Sequence, residues 1–211
     1  MSLSEQSEKK WFGDLSLLSL LCSNAATIFF AITENWNLST VMWVYWFQSV
    51  IIGFFNFVRI LGLKEFSTEG FKINGKPAAP TQQTKFFTAF FFLIHFGIFH
   101  LVYFIFLLTG AMTKIYGSTP GTTELKYIGL TAVLFFLNHL FSYFYNKPRD
   151  TKKQNIGSLM FYPYARIIPM HLTIILGFKF GNVLPLFLVL KTFADLVMHI
   201  MEHNVLRKGE E

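Results

Sequence analysis

The chain has 211 residues, of which 53% are hydrophobic and only 14% charged, and its formal net charge is +6. This composition lies outside the range of soluble globular domains and within that of membrane proteins. The single cysteine, Cys22, excludes an intrachain disulfide and a thiolate-rich metal centre, so a metal would have to be held by histidine and carboxylate side chains. The sequence contains no glycine-rich phosphate loop and no nucleic-acid motif, and we expect no nucleic-acid partner.

Apolar runs of about 20 residues, the length that crosses a hydrocarbon core of about 30 Å, recur six times. They predict an all-α fold, a polytopic membrane protein in which residues 1–211 form one transmembrane domain. Pro163 and Pro169 interrupt the fifth span, which is therefore predicted to be kinked or partly broken. The spans lie at about 14–33, 40–62, 85–109, 126–145, 160–180 and 183–205.

The loops between these spans differ in charge. Most of the 18 Lys and Arg residues fall on one side, which includes both ends of the chain. The positive-inside rule therefore places both termini in the cytoplasm of a multi-pass protein of the cell membrane. Trp43, Tyr45 and Trp46 at the start of the second span are interpreted as an interfacial aromatic belt, and Gly53 and Gly97 as points of close helix approach.

The last span carries a polar stripe. Lys191, Asp195, His199 and His203 recur every four residues, so they lie along one slowly winding face of a helix. Ionisable groups inside a membrane are costly and mark functional sites. Asp195 is interpreted as a metal ligand, as a group that orients a histidine, or as the counter-ion of Lys191 or Arg166.

Histidine is confined to the predicted spans, as all six histidines lie in or at the end of one. Neutral imidazole is the commonest protein ligand of transition metals, so a convergent set predicts a metal site or a proton relay. At 1.5 Å per helical residue, His95, His171 and Asp195 are expected at a common depth. The histidines are His95, His100, His139, His171, His199 and His203.

Residues 199–203 fit the pattern H-x-x-E-H, which places two imidazoles one turn apart with a carboxylate beside them. Glu202 would then be a catalytic base. The plain alternative is that Glu202 and His203 form an ordinary interfacial helix end.

These patterns together predict a metal-dependent hydrolase, with zinc as the expected metal, acting on a lipid or another substrate embedded in the bilayer. The alternatives are a proton or metal-ion transporter that uses the same histidines, and a structural or partner-binding protein with a polar packing layer. Arg166 is assigned to clamp an anionic group and Glu202 to catalysis. The predicted metal ligands are His95, His171, Asp195, His199 and His203, supported by Gln48, Asn56, His100, His139 and Lys191.

Five segments resemble, in order, the motifs of an uncharacterised prokaryotic family of integral membrane proteins, classified as domain of unknown function 6498. The resemblance covers the second to the sixth span. It implies a helical membrane fold and points to the same polar residues, but it implies no established activity. The segments are residues 45–56, 95–100, 138–144, 163–171 and 191–203.

Overall fold

The computed structural model describes residues 24, 25, 28, 29, 31–33, 36–109, 120–146, 154–180 and 183–207. For residues 142, 145, 146, 177–179, 199 and 201–207 it describes the backbone alone. This part of the chain is mainly helical. Its helices are α1 (Leu38–Gly62), α2 (Gln82–Leu108), α3 (Thr122–Asn146), α4 (Ile156–Phe161), a 3₁₀ helix (Tyr162–Arg166), α5 (Ile167–Phe180) and α6 (Leu184–Arg207).

Among the described residues, three helical segments are long and apolar enough to cross a membrane, namely Leu38–Gly62, Gln82–Leu108 and Ile156–Leu176. They coincide with the second, third and fifth predicted spans. On α2 much of the apolar surface is exposed, including Phe86, Phe87 and Phe90. Exposed apolar surface on this scale fits contact with lipid rather than with water.

The first, fourth and sixth predicted spans are described to different extents. Helices α3 and α6 lie at the fourth and sixth spans, and their charged residues include Glu124 and Lys126 in α3 and Lys191 and Asp195 in α6. Most of the predicted first span lies outside the described residues, although residues 24, 25, 28, 29 and 31–33 are helical. The described part of the chain is mainly helical, as predicted, and within it three of the six predicted spans have the length and composition of a membrane helix.

The fifth span is broken, as its prolines predicted. A 3₁₀ turn with Pro163 near its start separates α4 from α5. Proline lacks a backbone donor and crowds the preceding turn, which a regular α-helix does not accommodate in its interior. Pro169 follows in the first turn of α5, where proline is tolerated because the first N–H groups of a helix have no partner within it. The break places Arg166 at the end of the 3₁₀ turn, facing α6.

Helix α1 is the centre of the packing. It lies against α2 and α3 along much of its length and also contacts α4 and the 3₁₀ turn, which in turn packs on α6. Tyr45 and Met42 are completely buried. Gly53 of α1 meets the ring of Phe96 on α2 so closely that a side chain would overlap it, whereas nothing lies within 4 Å of a Cβ at Gly97. The predicted close approach is therefore made by Gly53 alone.

Two short pairs of strands join the loops. The strand β1 (Phe66–Ser67) pairs in parallel with β4 (Gln154–Asn155), and β2 (Lys72–Ile73) pairs antiparallel with β3 (Lys76–Pro77). The second pair is a hairpin whose two turn residues, Asn74 and Gly75, both have positive φ. This is the geometry that Asn-Gly favours between antiparallel strands. The first pair holds the loop after α1 beside the loop that precedes α4.

Candidate functional site

Three charged side chains meet inside the bundle, and we call them the charged centre: Arg166, Lys191 and Asp195. Arg166 Nη1 donates a short hydrogen bond to Asp195 Oδ1, and Lys191 Nζ lies 2.9 Å from Asp195 Oδ2. Each of the three is at most 5% exposed. One carboxylate therefore bridges two cations from two different elements.

The backbone explains why they meet. Lys191 and Asp195 are four residues apart on α6, so their side chains lie one turn apart on the same face. Arg166 reaches the same carboxylate because the 3₁₀ turn packs against α6. The charged centre therefore joins the broken fifth helix to the last helix.

Tyr45 of α1 anchors Arg166 in two ways. Its hydroxyl donates to the main-chain carbonyl of Arg166 at 3.0 Å, and its ring lies 4.4 Å from the guanidinium carbon. The ring is also 5.8 Å from Lys191 Nζ. A cation over an aromatic face is stabilised by the negative face of the ring, more strongly when both are desolvated.

Two amides complete the surroundings of the charged centre. Lys191 Nζ donates to Asn24 Oδ1 at 2.8 Å. Arg166 Nη2 donates to Gln48 Oε1 at 3.4 Å, which is at the long limit of a hydrogen bond. The Nε of Arg166 is buried and has no hydrogen-bond partner among the described residues. The guanidinium is thus held firmly on one side and weakly on the other.

The charges of the charged centre do not balance among the described residues. Arg166 and Lys191 together carry two positive charges, and Asp195 is the one acidic side chain that pairs with them in the described part of the chain. Buried charges are normally paired, because transfer of an unpaired charge from water is strongly unfavourable. An anion beside Arg166 would bring this region to neutrality.

His100 belongs to a separate set of contacts on α2. Its Nδ1 lies 2.9 Å from the carbonyl of Phe96, and its Nε2 lies 2.8 Å from Ser49 Oγ on α1. A carbonyl only accepts, so Nδ1 is the donor, and in the neutral ring Nε2 accepts from Ser49. Trp46 donates from Nε1 to the main-chain carbonyl of His100 at 2.8 Å. Both ring nitrogens of His100 are thus occupied between α1 and α2.

His95 and His171 each bind a tyrosine of another helix. His95 Nδ1 lies 2.8 Å from Tyr164 Oη, and His171 Nδ1 lies 3.2 Å from Tyr103 Oη. Tyr103 is eight residues after His95 on α2, a rise of about 12 Å, so the two histidines lie at different heights. His95 and His171 were predicted at a common depth from a fifth span that begins near residue 160. The fifth helix begins at Ile156, and its 3₁₀ turn rises further per residue than an α-helix, so His171 lies further along the helix than predicted.

The remaining predicted residues make local or packing contacts. His139 Nδ1 bonds to the carbonyl of Phe135 one turn earlier, at 3.1 Å. Asn56 Nδ2 donates to the carbonyl of Leu159 in α4 at 2.9 Å. The side chains of His199, Glu202 and His203 lie outside the described residues.

No three histidine, cysteine, aspartate or glutamate side chains come together as a metal site within the side chains that the structure describes. His95 and His171 bind different tyrosines, and Asp195 binds Arg166 and Lys191. The predicted zinc hydrolase is therefore unsupported by these residues.

Tyr45 lies beside the charged centre, a position that the sequence did not predict. Its position among tryptophans predicted an interfacial belt, but it is fully buried against the charged centre. One signal was present, because Tyr45 precedes Gln48 by three residues and so shares its helix face. Tyr103 and Tyr164, the partners of the two histidines, carried no comparable signal.

The comparison with known protein families gives one result. Residues 6–211 match the model described as Family of unknown function (DUF6498). No curated protein and no solved structure matches the chain significantly. The match covers nearly the whole sequence, including every residue of the charged centre, and the chain therefore belongs to the DUF6498 family.

Proposed function

We propose that this protein is a six-span protein of the prokaryotic cell membrane, with both termini in the cytoplasm, that binds an anionic substrate at the charged centre. The observation that carries the proposal is the excess of one positive charge around Asp195 among the side chains that the structure describes. Anion binding is a step that an enzyme and a transporter would share, and the proposal concerns that step.

The chemistry of the two cations favours an anionic ligand over a neutral one. Arginine offers planar donors that match the two oxygens of a carboxylate or phosphate, and lysine adds a compact charge beside them. In a medium of low dielectric constant both interactions are stronger than in water. This agrees with the assignment of Arg166 as the clamp of an anionic group.

Strand pairing supports the six-span topology. Residues 66–67 pair with residues 154–155, so the loops that contain them lie on one side of the membrane. Since α2 leaves that side, α3 has to return to it. The pairs His95–Tyr164 and Tyr103–His171 run in the same order along α2 and the fifth helix, as expected for two parallel spans.

The metal-dependent hydrolase would require ligands from His199 or His203. Its direct test is the metal content of purified protein, and we expect His95→Ala and His171→Ala to leave that content unchanged, because each of these histidines binds a tyrosine instead. A drop in bound zinc in either variant would restore these two residues as ligands.

The experiment for anion binding compares the wild type with Lys191→Met. The substitution removes one cation and leaves Arg166 and Asp195 as a neutral pair, so the fold should be retained while the demand for an anion disappears. Both proteins are purified in detergent, and their thermal unfolding is followed by tryptophan fluorescence in a series of short-chain carboxylates and phosphate esters. We expect anions to raise the unfolding midpoint of the wild type but not that of the variant.

Val189→Ala is a matched control, because Val189 lies on α6 and is exposed. It should respond to anions as the wild type does. If no anion raises the midpoint of the wild type above that seen in Lys191→Met, the proposal is wrong and the charged centre fixes helix packing alone.

A further inference from the structure

We infer that the anion at the charged centre carries a single negative charge and binds the Nε–Nη2 edge of Arg166 in place of the Gln48 amide. This inference rests on the proposed function and adds the charge and the position of the ligand. The class of ligand that it defines is a carboxylate or a phosphate diester, as opposed to a phosphate monoester.

The charge of the ligand follows from the neighbours of Asp195. Among the described residues, Arg166 and Lys191 contribute two positive charges to the charged centre and Asp195 contributes one negative charge. A monoanion makes the sum zero. A dianion leaves one uncompensated negative charge, which is as unfavourable in a buried site as the positive charge that it replaces.

The position follows from the donors of Arg166. Nη1 is committed to Asp195, and the guanidinium face lies on Tyr45. Nε and Nη2 form the lateral edge of the guanidinium, which binds two oxygens at once in bidentate pairs. In the part of the chain that the structure describes, Nε on this edge has no partner and Nη2 has only the 3.4 Å contact with Gln48.

Gln48 is therefore the group that a ligand would displace. Its hydrogen bond to Arg166 is long, and a neutral amide oxygen is a weaker acceptor for a guanidinium than an anionic oxygen. Gln48 is itself buried, so the displaced amide and the anion would exchange within the protein rather than at its surface.

The charge of the ligand is tested with three butyl esters of phosphate at about pH 8. The triester is neutral, the diester has one negative charge, and the monoester has two because its second pKa is about 6. At about 100 times its Kd, the diester should raise the unfolding midpoint of the wild type by about 5–10 °C. The triester and the monoester should have little effect at the same concentration.

The position is tested with two substitutions of Gln48. Gln48→Glu puts a negative charge beside the free edge of Arg166, so this variant should be more stable than the wild type without ligand and should not respond to the diester. Gln48→Ala removes the displaced amide and adds no charge. It should keep the response to the diester.

Two sources could supply such an anion, a phospholipid headgroup or a soluble carboxylate. Mass spectrometry of the purified protein distinguishes them: retention of phosphatidylglycerol by the wild type but not by Gln48→Glu indicates the lipid. A midpoint shift with hexanoate and no retained lipid indicates the carboxylate.

These experiments distinguish failure of the inferred charge or position from failure of anion binding. If the monoester stabilises the wild type as well as the diester does, or if Gln48→Glu still responds, the inferred charge or position is wrong while anion binding itself stands. If none of the anions has an effect in any variant, the proposed function fails together with this inference.

Discussion

Asp195→Asn is the substitution that best tests the account of the charged centre. It keeps the shape of the side chain but removes the carboxylate that bridges Arg166 and Lys191. At 2.9 Å and an effective dielectric constant of about 20, the attraction between Lys191 and Asp195 alone is about 6 kcal/mol before desolvation is counted. Removal of one partner of a buried ion pair costs about 3–5 kcal/mol, because the remaining charge is left buried and unpaired.

A loss of this size is a large part of the total stability of about 5–15 kcal/mol that is typical of a folded protein. The free energy of unfolding is measured in mixed micelles as denaturing detergent is added. Lys191→Met and the double variant complete a mutant cycle. Because Lys191 and Asp195 are in contact, we expect their effects to deviate from additivity by about 0.5–3 kcal/mol.

Two results would refute this reasoning. A loss below about 1 kcal/mol in Asp195→Asn would mean that the carboxylate is not ionised and buried between two cations. Additivity of the two substitutions within about 0.5 kcal/mol would mean that Lys191 and Asp195 do not interact. Val189→Ala on the exposed face of α6 controls for general effects on this helix and should change stability by at most about 0.5 kcal/mol.

Three other predictions concern packing and topology. Gly53→Ala should lower the free energy of unfolding by about 1–3 kcal/mol, because the new Cβ would lie 2.9 Å from Cδ1 of Phe96. Gly97→Ala is the control and should be neutral or slightly stabilising, because nothing lies within 4 Å of its new Cβ. Equal effects of the two substitutions in the same micelle assay would contradict the observed packing. Lys85→Met should lower the free energy of unfolding by about 1–3 kcal/mol, because the carbonyl of Leu63, just after α1, loses the Lys85 Nζ donor at 2.9 Å. No measurable loss would show that water replaces this donor. Reporter fusions at the two ends of the chain should both be active on the cytoplasmic side, and opposite locations would exclude an even number of spans.

The break in the fifth helix and the positions of the helices could be predicted, since both depend on local chemistry. Proline removes a donor wherever it stands, so Pro163 predicts a break without knowledge of its neighbours. Long apolar runs mark membrane helices for a similar reason. Hydropathy does not predict the surroundings of Lys191 and Asp195 on α6, whose burial is made favourable by their contact with each other and with Arg166.

The grouping of the histidines could not be predicted in the same way. His95 and His171 were expected at one depth, but four additional residues and a 3₁₀ turn at the start of the fifth helix shift His171 along its neighbour. His100 pairs with Ser49 because of how α1 and α2 are rotated against each other. A shift of one turn or a rotation of half a turn changes every partner, and neither leaves a signal in hydropathy.

The sequence by itself determined that this is a helical protein of the membrane class and that Arg166, Lys191 and Asp195 are among the polar residues within its predicted spans. These conclusions depend on transfer free energies, which belong to each residue and its near neighbours. Only the tertiary structure decided that the three side chains meet, that Tyr45 lies beneath Arg166, and that the lateral edge of the guanidinium is weakly occupied. Those facts depend on the relative shift and rotation of the packed helices, which many weak side-chain contacts determine together.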